Sequence, residues 1–122
     1  MFLYLVEKTF DSATPQNGPL IEGTISALFG ARYSVQVEIK ETDFGFDSEY
    51  VIIKIDNQDF GKCTPSGTGT CNWYRCTLEK DEIESANYVV FIFIQFSNDV
   101  NALEHCENQV EARITLQLIG EI

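Results

Sequence analysis

Val110-Glu111-Ala112-Arg113-Ile114-Thr115-Leu116-Gln117-Leu118 alternates without a break. Val110, Ala112, Ile114, Leu116 and Leu118 point one way; Glu111, Arg113, Thr115 and Gln117 point the other. Side chains of a strand alternate between faces, so this period of two predicts a strand with one buried and one wet face. The same pattern runs from Arg32 to Glu41, with Tyr33, Val35, Val37 and Ile39 on the apolar side. Two further stretches, Glu49 to Asp56 and Asn87 to Phe96, are apolar on both faces. Such strands are covered on both sides or are central. Phe2 to Val6, Gly23 to Phe29 and the aromatic Asn72 to Leu78 are weaker strand candidates.

Turn chemistry separates these runs. Thr14 to Pro19 breaks the chain after the first strand, Asp43 to Ser48 forms a hairpin-type loop, and Asp56 to Asp59 forms a tight turn before Gly61. Leu78 to Ala86, rich in charge, is the best candidate for a short helix, and Asn98 to Cys106 for a helical turn. About seven or eight strands with frequent turns predict one all-β domain over residues 1–122. The expected architecture is an antiparallel β-sandwich of jelly-roll, Greek-key or C2-like type. Residues 1–14 would supply an N-terminal strand, either at a sheet edge or exchanged with a second copy. The passage from Tyr33 to Asp56 resembles C2-like or PLAT-like sandwiches in general outline. It carries no diagnostic motif, so no residue role follows from it.

The chain has 122 residues, 19 acidic and 8 basic side chains, and a net charge of −11. A phosphate backbone wants a basic footprint, and no such cluster occurs, so nucleic acid is not expected as a partner. With 44% apolar and 12% aromatic residues the chain can build a core. The longest apolar run, Tyr88 to Ile94, is far short of the roughly 20 residues that span a bilayer. Direct membrane insertion is therefore not expected. Met1 to Glu7 lacks the basic start and the apolar length of a signal peptide.

Four cysteines, Cys63, Cys71, Cys76 and Cys106, point to two disulfides and an oxidising, extracellular or surface-displayed setting. Pro65, Gly67 and Gly69 suit a turn that closes Cys63 onto Cys71, leaving Cys76 for Cys106. The alternative is Cys63–Cys76 with Cys71–Cys106. A zinc site is disfavoured because no C-x-x-C spacing occurs.

Two constellations are candidates for a site. Asp43, Asp47 and Glu49 sit in one loop, and clustered loop oxygens are how many extracellular domains hold Ca²⁺. Asp56 and Asp59 lie about 26 Å away along an extended strand, so the two loops cannot share an ion. A site at either end would need help from another loop, such as the one carrying Asn98, Asp99, Asn101 and Glu104. Acidic turn residues are otherwise simply solvated. The second constellation is Trp73 and Tyr74, between Cys71 and Cys76. An exposed aromatic held by a disulfide is a rigid platform for a sugar ring or a protein; a core aromatic against a disulfide is the plainer reading. Catalysis is not expected. His105 is the only histidine, and none of the nucleophile-elbow, phosphate-loop or zinc-protease motifs occurs. The functional expectation is a non-catalytic recognition or adhesion module, with Ca²⁺ at the Asp43 loop as an accessory. Its partner would be a protein or a glycan. The alternatives are a self-assembling coat, fibre or capsid subunit and a carbohydrate-binding module.

Overall fold

The computed structural model describes residues 5–12, 18–45, 48–65, 70–100, 106 and 109–121. Nine strands follow one another: β1 Leu5–Ser12, β2 Leu20–Ser26, β3 Ala31–Lys40, β4 Val51–Ile55, β5 Gln58–Cys63, β6 Trp73–Arg75, β7 Glu82–Glu84, β8 Val89–Phe96 and β9 Val110–Glu121. They form two antiparallel sheets. The first has the order β1-β9-β3-β6, with β7 also pairing β3; the second has the order β2-β8-β4-β5. β6 and β7 pair with successive stretches of β3, at Glu38–Lys40 and Arg32–Ser34, and so share one edge position. The chain passes from sheet to sheet at almost every connection, which is the connectivity of a jelly roll.

The alternating stretches lie where their pattern requires. β9 is paired on both sides, by β1 and β3, and its Val110, Ala112, Ile114 and Leu116 are fully buried. Opposite them the second sheet contributes Ile21, Ile25, Val51, Ile53, Ile55, Val90, Ile92, Ile94 and Phe96. The two doubly apolar runs, β4 and β8, are neighbours at the centre of the second sheet.

Three expectations need correction. Leu78 to Ala86 is not helical: Glu82-Ile83-Glu84 pairs with β3 and buries only Ile83, so cross-strand pairing overrides the charge run. Asp43 to Ser48 is not a hairpin loop, because β3 and β4 belong to different sheets. The disulfides are Cys63–Cys76 and Cys71–Cys106, not Cys63–Cys71 and Cys76–Cys106. The reason is topological. The segment after β5 leaves the second sheet and enters the first at β6, so it does not turn back on itself. Cys63 and Cys76 are both buried and meet between the sheets, while Cys71 meets Cys106 from the β8–β9 connection.

The two long sides of the sandwich are closed differently. On one, the Cys63–Cys76 bond and the Glu79 N–H donated to the Phe60 carbonyl (3.1 Å) tie β5 to the segment between β6 and β7. On the other, β1 lies against β2. There the Phe10 ring fills the space where Gly23 has no side chain, and the Lys8 ammonium bonds the Thr24 carbonyl at 3.0 Å. β1 pairs with β9 of its own chain as an edge strand, and Lys8 is a charge on the inward register of that edge. Such charges discourage further strand addition. Of the N-terminal strand expected at Phe2 to Val6, only Leu5 and Val6 fall within the described residues.

Candidate functional site

The Asp43 loop is placed only in part. Glu49 is buried and Asp43 half-buried, while Asp47 lies outside the described residues. Among the described residues, no three of His, Cys, Asp and Glu come together as a metal-holding group.

Trp73 and Tyr74 point to opposite faces of β6, as an extended strand requires. Tyr74 packs against the core. Trp73 lies half-buried on the outer face of the first sheet under two cations: Arg113 Cζ is 4.4 Å and Lys40 Nζ 5.5 Å from its ring centroid. Both cations are held in turn. Arg113 donates to both oxygens of Glu38, at 2.9 and 3.1 Å, and Lys40 pairs with Glu111. Hydrogen bonding to Glu38 is the main cause that raises the Arg113 pKa above its ordinary value. The ring is thus part of a cross-strand cation ladder, and its π face is already engaged.

Free aromatic surface lies elsewhere. Phe29, at 64% exposure, tips the β2–β3 turn, and Tyr88, at 72%, tips the β7–β8 connection. Their ring centroids are 5.7 Å apart, at a tilt of 35°. Backbone bonds lace the two loops together: Ala27 N–H to the Tyr88 carbonyl and Gly30 N–H to that of Ser85 (each 2.9 Å), and Ser85 N–H to that of Ala31 (2.8 Å). Gly30 has φ +72°, a left-handed conformation that favours glycine and lets the turn close beneath Phe29. The core anchors this turn as well. The fully buried Tyr33 directs its hydroxyl to the Leu28 N–H, which donates to it at 2.7 Å. Tyr33→Phe is expected to lower unfolding stability by about 1 kcal/mol, the usual worth of such a bond. It should also weaken any binding that depends on Phe29, although residue 33 is out of reach of a ligand. Urea unfolding and a binding titration of the one variant check both effects.

Phe91 is a further exposed aromatic, 53% exposed on the outward register of β8, and the residues on either side of Tyr88, Asn87 and Val89, line a groove beside it. Shallow grooves of about 250 and 510 Å³ flank it, and Asn57 lines both. The smaller one is also lined by Asp56, Glu84 and Asn87. Asp56 and Asn57 form the two-residue β4–β5 turn with φ of 50° and 61°, the left-handed pair that such a hairpin demands and that Asp and Asn tolerate. Asp56 locks the turn to β8. Its Oδ1 accepts the Phe91 N–H at 2.7 Å, and its own N–H donates to the Phe91 carbonyl at 2.8 Å. Carboxylates and amides are thereby held at the rim of an aromatic surface. That arrangement suits a ligand with one apolar face and many hydroxyls.

Phe29, Tyr88 and Phe91 lie outside both constellations that the sequence marks as candidate sites. A local signal did exist for the first two: each aromatic adjoins turn residues, Phe29 before Gly30 and Tyr88 after Asn87.

Fold and surface together define a disulfide-bonded jelly-roll domain with an aromatic, acid- and amide-rimmed surface. No family model matches the chain, and no curated protein matches it in sequence. Among solved structures it is similar to one described as "EclA C-terminal domain; sugar-binding protein". The TM-score is 0.53 over 89% of this chain and 74% of that chain, at 14% identity. A likeness at that identity is a likeness of fold.

Proposed function

We propose that this domain is a non-catalytic recognition module whose ligand is a glycan. The observation that carries the reading is the exposed Phe29–Tyr88 pair beside the Phe91 grooves. Exposed aromatic rings on a rigid scaffold supply binding area at little entropic cost, and neighbouring carboxylates and amides orient sugar hydroxyls. The similar structure described as sugar-binding lends support at the level of fold. The two disulfides support a setting in an oxidising compartment.

The test is a glycan array read with wild type, Tyr88→Ala and Trp73→Ala, with the melting midpoint as the folding control. Wild type should bind at least one glycan class. Tyr88→Ala should weaken that binding about tenfold, as truncation of a central aromatic anchor does. Trp73→Ala should leave it within about twofold, since that ring is held by Lys40 and Arg113. Loss with Trp73→Ala and not with Tyr88→Ala would move the site to the first sheet. Ca²⁺ at Asp43, Asp47 and Glu49 stays a separate proposal: thermal stabilisation by millimolar Ca²⁺ supports it, and an unchanged midpoint ends it.

A further inference from the structure

We infer that the ligand is an uncharged oligosaccharide, bound along the line from the Phe29–Tyr88 shelf to the Phe91 grooves. This rests on the glycan reading and specifies it in two respects, charge and length.

Charge comes from what faces the grooves. Asp56 and Glu84 line the smaller one and Glu22 the larger, and no lysine or arginine lines either among the described residues. The ammonium groups that reach lining residues are engaged: Lys80 donates to Gln58 of the smaller groove, and at the larger one Lys8 donates to the Thr24 carbonyl at 3.0 Å and Lys54 lies over the Phe93 ring at 5.9 Å, while Arg32 pairs with Glu82 at 3.6 Å. A uronate, sialate or sulfate placed there would meet carboxylates in the lining and would have to draw those ammonium groups off their present partners, on a chain of net charge −11. Hydroxyl groups of a neutral sugar can instead donate to those carboxylates, and charge-assisted hydrogen bonds are the stronger kind.

Length comes from the strand. Tyr88 packs on Phe29 in the β7–β8 connection, one residue before β8, whereas Phe91, three residues further on, faces outward from the strand itself. One pyranose ring seated on the Tyr88–Phe29 shelf does not also cover Phe91. Two or more linked sugars can, with one ring on the Tyr88–Phe29 shelf and another against Phe91, where Asp56, Asn57 and Asn87 supply polar contacts.

The experiment is calorimetric titration of the intact domain with a neutral oligosaccharide chosen from the array. Three comparisons accompany it: its terminal monosaccharide, counterparts of the same core carrying sialate, uronate or sulfate, and the variants Tyr88→Ala and Phe91→Ala. The neutral oligosaccharide should bind best. The monosaccharide and the acidic counterparts should each be weaker by about tenfold or more, and each variant should lose about tenfold for the oligosaccharide. Acidic counterparts that bind as well as the neutral core overturn the charge argument. A monosaccharide that binds as tightly as the oligosaccharide, or binding that ignores one of the two aromatics, overturns the length argument. Both results leave the glycan reading standing. An array blank in every arm removes that reading, and this inference with it.

Discussion

Replacing Cys71 and Cys106 together by serine is expected to lower unfolding stability by about 4 kcal/mol, and replacing Cys63 and Cys76 by about 3 kcal/mol. The difference follows from the chain each bond closes, 35 residues of separation against 13. A domain of this size holds about 5–15 kcal/mol in total, so loss of both bonds leaves it at the margin of folding. Denaturant unfolding of the two double variants, and of wild type reduced and alkylated, gives the comparison. A reduced, alkylated protein with an unchanged midpoint would show that the bonds constrain nothing. The pairing has a separate test: digestion under non-reducing conditions should link the Cys63 peptide to the Cys76 peptide.

The second large effect concerns the opposite side of the sandwich. A Cβ added at Gly23 would stand 2.3 and 2.7 Å from two carbons of the Phe10 ring, closer than atoms approach without displacement. Gly23→Ala should therefore cost about 1–3 kcal/mol, the range for overfilling a packed core. Phe10→Ala should cost about 3–5 kcal/mol by leaving a cavity. The double variant is the decisive one. The alanine methyl at position 23 then projects into the space the ring vacates, so the combined loss should fall short of the sum. Additive losses would mean that the ring and the glycine do not oppose each other.

The sheets were legible wherever one face is wet and the other buried, as from Arg32 to Glu41 and from Val110 to Leu118. There the period of two records burial directly. β5 was not legible. Gln58-Asp59-Phe60-Gly61-Lys62-Cys63 holds no β-branched residue, and it is a strand because β4 pairs with it across an irregular register near Gly61. Partnership, not propensity, makes it so. β7 became a helix candidate for the same reason. The cysteine pairing depended on which sheet each strand joins, which no local pattern states. The site was legible least of all. Trp73 looks like a free platform until Lys40, Glu38, Glu111 and Arg113 arrive from two other strands. Phe29 and Tyr88 become neighbours only when the β2–β3 turn is bonded to the β7–β8 connection.

The unequal closure of the two long sides also sets how the molecule breathes. Covalent closure beside β5 and β6 makes that side the spine, while among the described residues the β1–β2 side is held by a ring seated on a glycine and a lysine on a carbonyl. Local opening takes the route with the fewest contacts to break. Amide protons of β1 therefore exchange with solvent through fraying of that strand alone, whereas those around Cys63 and Cys76 exchange only when the whole fold comes apart.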